Sequence, residues 1–236
     1  MSKLSKNKIA TKEEVLAHFY SGMNLLAGGF GPAGCPTMLW EWLHETDVKD
    51  VHLTTSGVAP ADKPFQLGFA KMLEEHRFQS IRLTHAANNP EVGRQRNEGT
   101  LEVECMPQGT YVERVRAGGF GLGGVLTPTG IGTSVAEGKR IINIQGKDYL
   151  LELPIRADVA ILRAEKADKQ GNLMFSYNSR NYNTVIPAAA DFTIVEVPES
   201  EIVENGKMLD CEVMIPAVFV DMIVPIPKGE AYYERD

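Results

Sequence analysis

The clearest chemical potential in this sequence lies in Gly28-Gly29-Phe30-Gly31-Pro32-Ala33-Gly34-Cys35-Pro36, which follows directly on the apolar run Leu25-Leu26-Ala27. Glycines at the end of a strand let the backbone approach a ligand closely, and they aim amide N–H groups at it where the next helix begins. Spacing alone fits a tight strand-to-helix connection with no ligand equally well. A dinucleotide is disfavoured. Gly29, Gly31 and Gly34 can be forced onto Gly-x-Gly-x-x-Gly, but the next strand closes with Thr54-Thr55-Ser56, where the fingerprint needs an acidic residue for the ribose. A second concentration, Gly118-Gly119-Phe120-Gly121-Leu122-Gly123-Gly124, leads toward Thr127-Pro128-Thr129-Gly130-Ile131-Gly132-Thr133. It reads as a second apolar glycine-rich loop, costly in entropy unless packing or a ligand holds it. His18, His44, His52, His76 and His85 show no metal-ligand spacing, and no metal site is expected.

The elements that must position these residues follow from periodicity. Thr11 with Glu14 three positions later is a capping box, and Val15, Leu16 and Phe19 share one face of a helix that Gly22 is expected to close. Strands are expected over 25–27, 51–55, 81–84 and 101–106. Helices are expected after Pro36, over 66–76 and from about Pro90. Such alternation argues for right-handed crossovers and a mostly parallel sheet with helices on both faces. The segments 140–144 and 149–153 flank Gln145-Gly146-Lys147-Asp148 as a hairpin, which is expected to make the sheet mixed. Further strands are expected over 159–162, 192–197 and 217–224, with a helix over 182–190. The reading is a single α/β domain over residues 1–227 with a tail over 228–236.

Composition excludes several classes. The 236 residues are 43% hydrophobic and 23% charged, enough to bury a core without staples. The formal charge of −7 repels a phosphate backbone, so no nucleic acid partner is expected. Three widely spaced cysteines with no Cys-x-x-Cys pair suit a reducing, cytoplasmic setting. The uncharged stretch 117–136 is long enough to span a bilayer. Its Pro128, its hydroxyl residues and its glycines argue against a membrane helix, and no membrane partner is expected.

The ordered series of motifs resembles the family I coenzyme A transferases, in their α subunit. Gly-Gly-Phe-x-x-x-Gly-x-Pro at 28–36 looks like the first signature, followed by Pro107-Gln108-Gly109-Thr110, Gly118-Gly119 and Thr127-Pro128-Thr129-Gly130-Ile131-Gly132-Thr133. Lys166-Ala167-Asp168, Gly171-Asn172 and Ser179-Arg180-Asn181-Tyr182-Asn183 complete it, and the likeness runs from about Thr11 to Val224. The resemblance implies the CoA-transferase and sugar-phosphate isomerase-like fold. It also implies transfer of CoA between an acyl-CoA and a short-chain or 3-oxo carboxylic acid. In such enzymes a glutamate of a partner β subunit attacks the thioester and carries CoA as a glutamyl-CoA intermediate, chemistry that needs donors aimed at the developing oxyanion. It implies a hetero-oligomer with that β subunit, no permanently bound cofactor, and coenzyme A or acyl-CoA as substrate.

By the same resemblance Gln108 touches substrate. Gly28, Gly29, Phe30, Gly31 and Gly34 line the crevice, with Asn88, Asn89 and Glu91 as further candidates for its wall. No catalytic nucleophile is expected in this chain. Val203-Glu204-Asn205-Gly206 resembles the β-subunit motif but lacks its serine, and Lys207 follows the glycine. Departures from the family pattern are Ser21, Ser56-Gly57 where amides are usual, and His85. Two other readings compete: a silent CoA- or acid-binding regulatory subunit of the same fold, and a sugar-phosphate isomerase. The second fits poorly, because the pocket segments hold almost no Lys or Arg.

Overall fold

The computed structural model describes residues 5–59, 63–86 and 89–229. Helices α1 (Lys12–Leu16), α2 (Thr37–His44), α3 (Leu67–Glu74), α4 (Pro90–Glu98) and α5 (Gln108–Gly119) alternate with β1 (Asn24–Ala27), β2 (Val51–Thr55), β3 (Phe78–Leu83) and β4 (Glu102–Cys105). The second half carries β5 (Val125–Thr127), β6 (Ile141–Ile144), β7 (Lys147–Glu152), β8 (Ala157–Arg163), β9 (Lys166–Asp168), β10 (Leu173–Met174), β11 (Ala190–Pro198), β12 (Ile202–Val203) and β13 (Met222–Ile226). Seven strands form one sheet in the order β13-β11-β8-β1-β2-β3-β4, with every ladder parallel.

Side-chain alternation divides this sheet between two cores. Leu25, Ala27, Val159, Ile161, Ile194 and Val224 face α1 to α4, while Leu26, Ala160, Leu162, Val195 and Ile223 face α5 and a run of 3-10 turns. Both faces are apolar and covered, which is why these strands read as continuous hydrophobic runs. On the first face Trp40, Phe69 and Phe78 pack ring to ring, with centroids 5.3 to 6.4 Å apart, locking α2 and α3 onto β3.

The expected α/β class holds, with refinements that each have a local cause. The hairpin does not join the main sheet: β6 and β7 turn on Gln145-Gly146, both at positive φ, and pair with β5 in a separate three-stranded antiparallel sheet. The capping box of Thr11 and Glu14 forms, but α1 ends at Leu16 rather than at Gly22. His18 and Phe19 then tighten onto Val15 and Leu16 by i→i−3 bonds, and His18 stacks on Phe192 at 3.8 Å. In place of the helix expected over 182–190, Tyr182–Thr184 and Ile186–Ala189 form 3-10 turns and Ala190 opens β11, since Pro187 offers no N–H to continue a helix. The last strand begins at Met222 rather than 217. The carbonyls of Ala217 and Val220 instead accept hydrogen bonds from the buried Lys8 ammonium at 2.6 and 2.8 Å.

Gly118 and Gly119, expected in a loop, form the last turn of α5. A Cβ at Gly118 would lie 1.9 Å from the Ile155 carbonyl oxygen, so a glycine is what lets the helix reach the segment leading into β8. Gly118→Ala should therefore lower stability by about 1–3 kcal/mol as the overpacked backbone shifts. Gly93→Ala, in α4 with nothing within 4 Å of a built Cβ, should raise it by about 0.5–1 kcal/mol. Urea unfolding of the two variants beside the wild type checks both signs.

Candidate functional site

The strand order determines where a site can form. From β1 the chain walks outward to β4, then returns to place β8 on the other side of β1, so the order reverses between β1 and β8. In an open parallel sheet such a reversal leaves a crevice at the carboxyl ends of the strands. The loop 28–36 leaves β1 at that point. Its ends are held and its middle is a tight turn, with Phe30 and Ala33 exchanging backbone hydrogen bonds at 3.0 and 3.2 Å around Gly31-Pro32.

One side chain organises the loop from the far side of the sequence. Asn183, fully buried, accepts the Gly29 N–H at 3.1 Å. Its amide nitrogen donates among the carbonyls of Ser179 at 3.0 Å, Gly34 at 3.1 Å and Arg163 at 3.4 Å. The loop is thereby tied to the carboxyl end of β8 across the reversal. Gly28 and Gly34 make room for it: a Cβ would lie 1.9 Å from Asn183 Oδ1 at Gly28 and 2.3 Å from Nδ2 at Gly34. The Gly29 carbonyl is held as well, accepting from Ser56 Oγ at 2.7 Å. Asn181 adds a second tie, donating to the Ala33 carbonyl at 3.0 Å.

Among the sequence-derived candidates, Gly28, Gly29 and Gly34 are buried in this lacework, whereas Phe30 and Gly31 are exposed at its tip. Gln108 is the first residue of α5, exposed after Pro107. Its strand, β4, is separated from β1 by β2 and β3, about 14 Å at the usual spacing of strands. An aromatic chain bridges that gap. Tyr111, one helical turn beyond Gln108, meets Tyr182 edge-on at 4.8 Å, and Tyr182 reaches Phe30 at 6.2 Å. Burial pushes both phenols above their usual range, so they form a neutral apolar wall.

Asn89 and Glu91 serve α4 itself. Asn89 caps it, accepting the Glu91 N–H at 3.1 Å and donating to the Ala59 carbonyl at 2.9 Å. Glu91 is held at about pKa 2 by its hydrogen bonds from Arg94 and Gln95. Asn88 lies outside the described residues. His85 sits over Gly57 at the carboxyl ends of β2 and β3, where a Cβ on Gly57 would be 2.5 Å from its ring. Gly57 and His85, both singled out in the sequence, are therefore one fitted pair. Glu204 stands on an exposed turn beyond β12, paired with Lys169.

Among the described residues, no cluster of His, Cys, Asp and Glu could hold a metal ion, and no helix is long and apolar enough to cross a membrane. Two open clefts, of about 450 Å³ beside Arg82, Arg96 and Glu104 and about 580 Å³ beside Tyr177, Arg180 and Cys211, are not lined by the glycine loop or Gln108. The candidate site is thus an open rim: a rigid glycine loop, an aromatic wall and an exposed amide. In the sequence the segment around Asn183 carries no sign of this role beyond two asparagines in a short polar run.

Comparison with known proteins gives a consistent result. The family described as Coenzyme A transferase matches residues 9–225. The acetate CoA-transferase subunit alpha of Escherichia coli K12 is 39% identical over 219 residues, covering 93% of this chain and 97% of the relative. The acetoacetyl-CoA:acetate/butyrate CoA transferase alpha subunit of Clostridium acetobutylicum is 36% identical over 221 residues, covering 94% and 99%. The solved acyl-CoA transferase of Escherichia coli O157:H7 superposes with a TM-score of 0.81 at 17% identity, covering 97% of this chain and 48% of that one.

Removing the Asn183 side chain should leave the Gly29 N–H and several buried carbonyls unpaired. Asn183→Ala is expected to cost about 2–4 kcal/mol in urea unfolding. A cost below about 0.5 kcal/mol would show that the loop holds itself.

Proposed function

Because the chain belongs to the coenzyme A transferase family, we propose that it is the α subunit of an enzyme moving CoA between an acyl-CoA and a short-chain or 3-oxo carboxylic acid. The nucleophilic glutamate, and the glutamyl-CoA thioester it forms, belong to a partner β subunit in a hetero-oligomer. Acyl-CoA and the acid are substrates, with no resident cofactor, and the setting is cytoplasmic.

The single observation that carries the split-site reading is the open rim itself. A donor-bearing loop at the strand-order reversal exposes its tip at Phe30 and Gly31, and none of its residues 28–36 is a carboxylate. A site that must shield a glutamyl-CoA thioester from water needs a second wall, which the β subunit supplies. This chain contributes positioning. Gly31 is exposed and its N–H has no partner among the described residues, so it can meet a developing oxyanion, and the Gln108 amide can donate to the acyl carbonyl. Phe30 and Tyr182 give the acyl chain an apolar surface on which a short aliphatic group can rest. The Gly57–His85 pair narrows the rim between β2 and β3, on the side where the acid's tail would lie.

The test is CoA transfer from acetoacetyl-CoA to acetate, butyrate, succinate and 3-oxoadipate, with this chain alone and with its β chain. Transfer by the mixture alone is expected. Transfer by this chain alone would overturn the split site and point to a local carboxylate such as Glu204. In the assembled enzyme Gln108→Ala should lower turnover by about 10- to 1000-fold, as loss of an oxyanion-type donor does. An unchanged rate would remove Gln108 from the site.

A further inference from the structure

A buried carboxylate that the proposed chemistry does not use stands behind the glycine loop. Glu196, on β11, is fully buried on the sheet face covered by α2. Its Oε2 accepts the Leu39 N–H at 3.0 Å, from the first turn of α2. That turn has no cap of its own: Pro36 stands at the N-cap with no side-chain hydrogen bond, and no acidic residue occupies the first turn. A helix begins with unpaired N–H groups and a partial positive charge, and here a strand 157 residues away along the chain supplies the acceptor. The other oxygen, Oε1, is buried with no hydrogen-bond partner. Buried carboxylate oxygens are normally paired, so a lone one in a strand core asks for a role.

The location suggests that role. The helix that Glu196 caps is the one into which the loop 28–36 runs, so Asn183 holds the loop at Gly29 and Gly34 and Glu196 holds the helix turn that follows it. We propose that Glu196 is a positioning residue, whose negative charge at the start of α2 holds the glycine loop in its binding conformation. Its consequence for catalysis rests on the function proposed above.

The charged and titratable groups facing Glu196 are few. Arg163, its register partner on β8, and the Cys35 thiol at the end of the loop both act on it electrostatically, while β13 presents Val224. Burial pushes the carboxyl up to about 7, with the Leu39 amide, the Arg163 guanidinium and the Met38 and Thr37 amides opposing. Burial likewise pushes the Cys35 thiol up, so it stays protonated. Because the folded-state pKa of Glu196 is raised, its stability contribution is full below the ordinary carboxylate range and is lost as pH rises through about 7. The charged form thus tightens α2 and the loop while costing the fold as a whole. This opposition separates positioning from packing.

Amide hydrogen exchange on the full chain, wild type against Glu196→Gln, reads the two effects apart. At pH 8 the variant should exchange about tenfold faster over residues 29–39. At pH 6, where the wild-type carboxyl is protonated, the two should match. The thermal midpoint of the wild type should fall relative to the variant between pH 6 and pH 8. Equal exchange at pH 8 would overturn the proposal, as would faster exchange spread over β8 and β11 with a lower midpoint at both pH values, which is the mark of a packing residue. In the enzyme assembled with its β chain, KM for the acid should rise several-fold in Glu196→Gln at pH 8 and stay unchanged at pH 6. If the wild-type assembly transfers no CoA, the proposed function fails alone, and the exchange pattern still decides the role of Glu196.

Discussion

The carboxamide of Asn183 is the interaction on which the site depends. A parallel sheet whose strand order reverses leaves a gap between two neighbouring strands at their carboxyl ends, and backbone leaving those strands must find partners there. Asn183 meets that need with one donor group and one acceptor, taking the Gly29 N–H and serving carbonyls of the loop, of β8 and of its own turn. A charged side chain could not play both parts. A larger one would not fit, since the loop backbone approaches closer than any Cβ would allow.

From that tie the rest of the rim follows. Asn183 belongs to the 3-10 turns over 177–189, and the same turns place Tyr182 against Tyr111 of α5 and against Phe30. Segments far apart in sequence, after β1, at the start of α5 and before β11, are thereby brought to one surface. The separate β5-β7-β6 sheet is joined to this body by charge rather than by strand pairing. The nearly buried Arg114 of α5 donates to Glu104 at 2.6 Å and to the Leu153 carbonyl at 2.8 Å, and it lies 3.8 Å from Glu152. Glu152 is itself paired with Lys139 at 2.6 Å. A network anchored on the buried Arg114 and Glu152 fixes a geometry more firmly than it adds net stability. The frame beneath the start of α5 gains its rigidity in this way.

The loop's other end rests on an electrostatic device instead of a neutral amide. A carboxylate at a helix start is favoured by the aligned peptide dipoles, yet it is opposed by its removal from water. At Glu196 removal from water outweighs the amides and pushes the carboxyl up to about 7, so both protonation states are populated near neutral pH, whereas Asn183 does not titrate. The glycine loop is therefore held at Gly29 and Gly34 by a fixed joint, and the helix it enters by a joint whose strength follows proton concentration.

The sequence by itself determined the fold class and most elements of the first half of the chain. The capping box at Thr11 and Glu14, the apolar runs of β1, β2 and β8, and the glycines following β1 are local patterns, and local hydrogen-bonding rules suffice to read them. It also placed the glycine loop and Gln108 at strand ends, because in a parallel sheet the residues after a strand face the ligand side. Tertiary structure alone decided the rest. That Gly118 continues a helix depends on the approach of the Ile155 carbonyl, and that the hairpin stands apart depends on which strand it finds as a neighbour. The roles of Asn183 and Glu196 depend on contacts spanning about 150 residues of chain. No periodicity records such contacts: one polar residue in a turn, or one acid in a strand, looks the same in sequence whether it faces water or carries the loop.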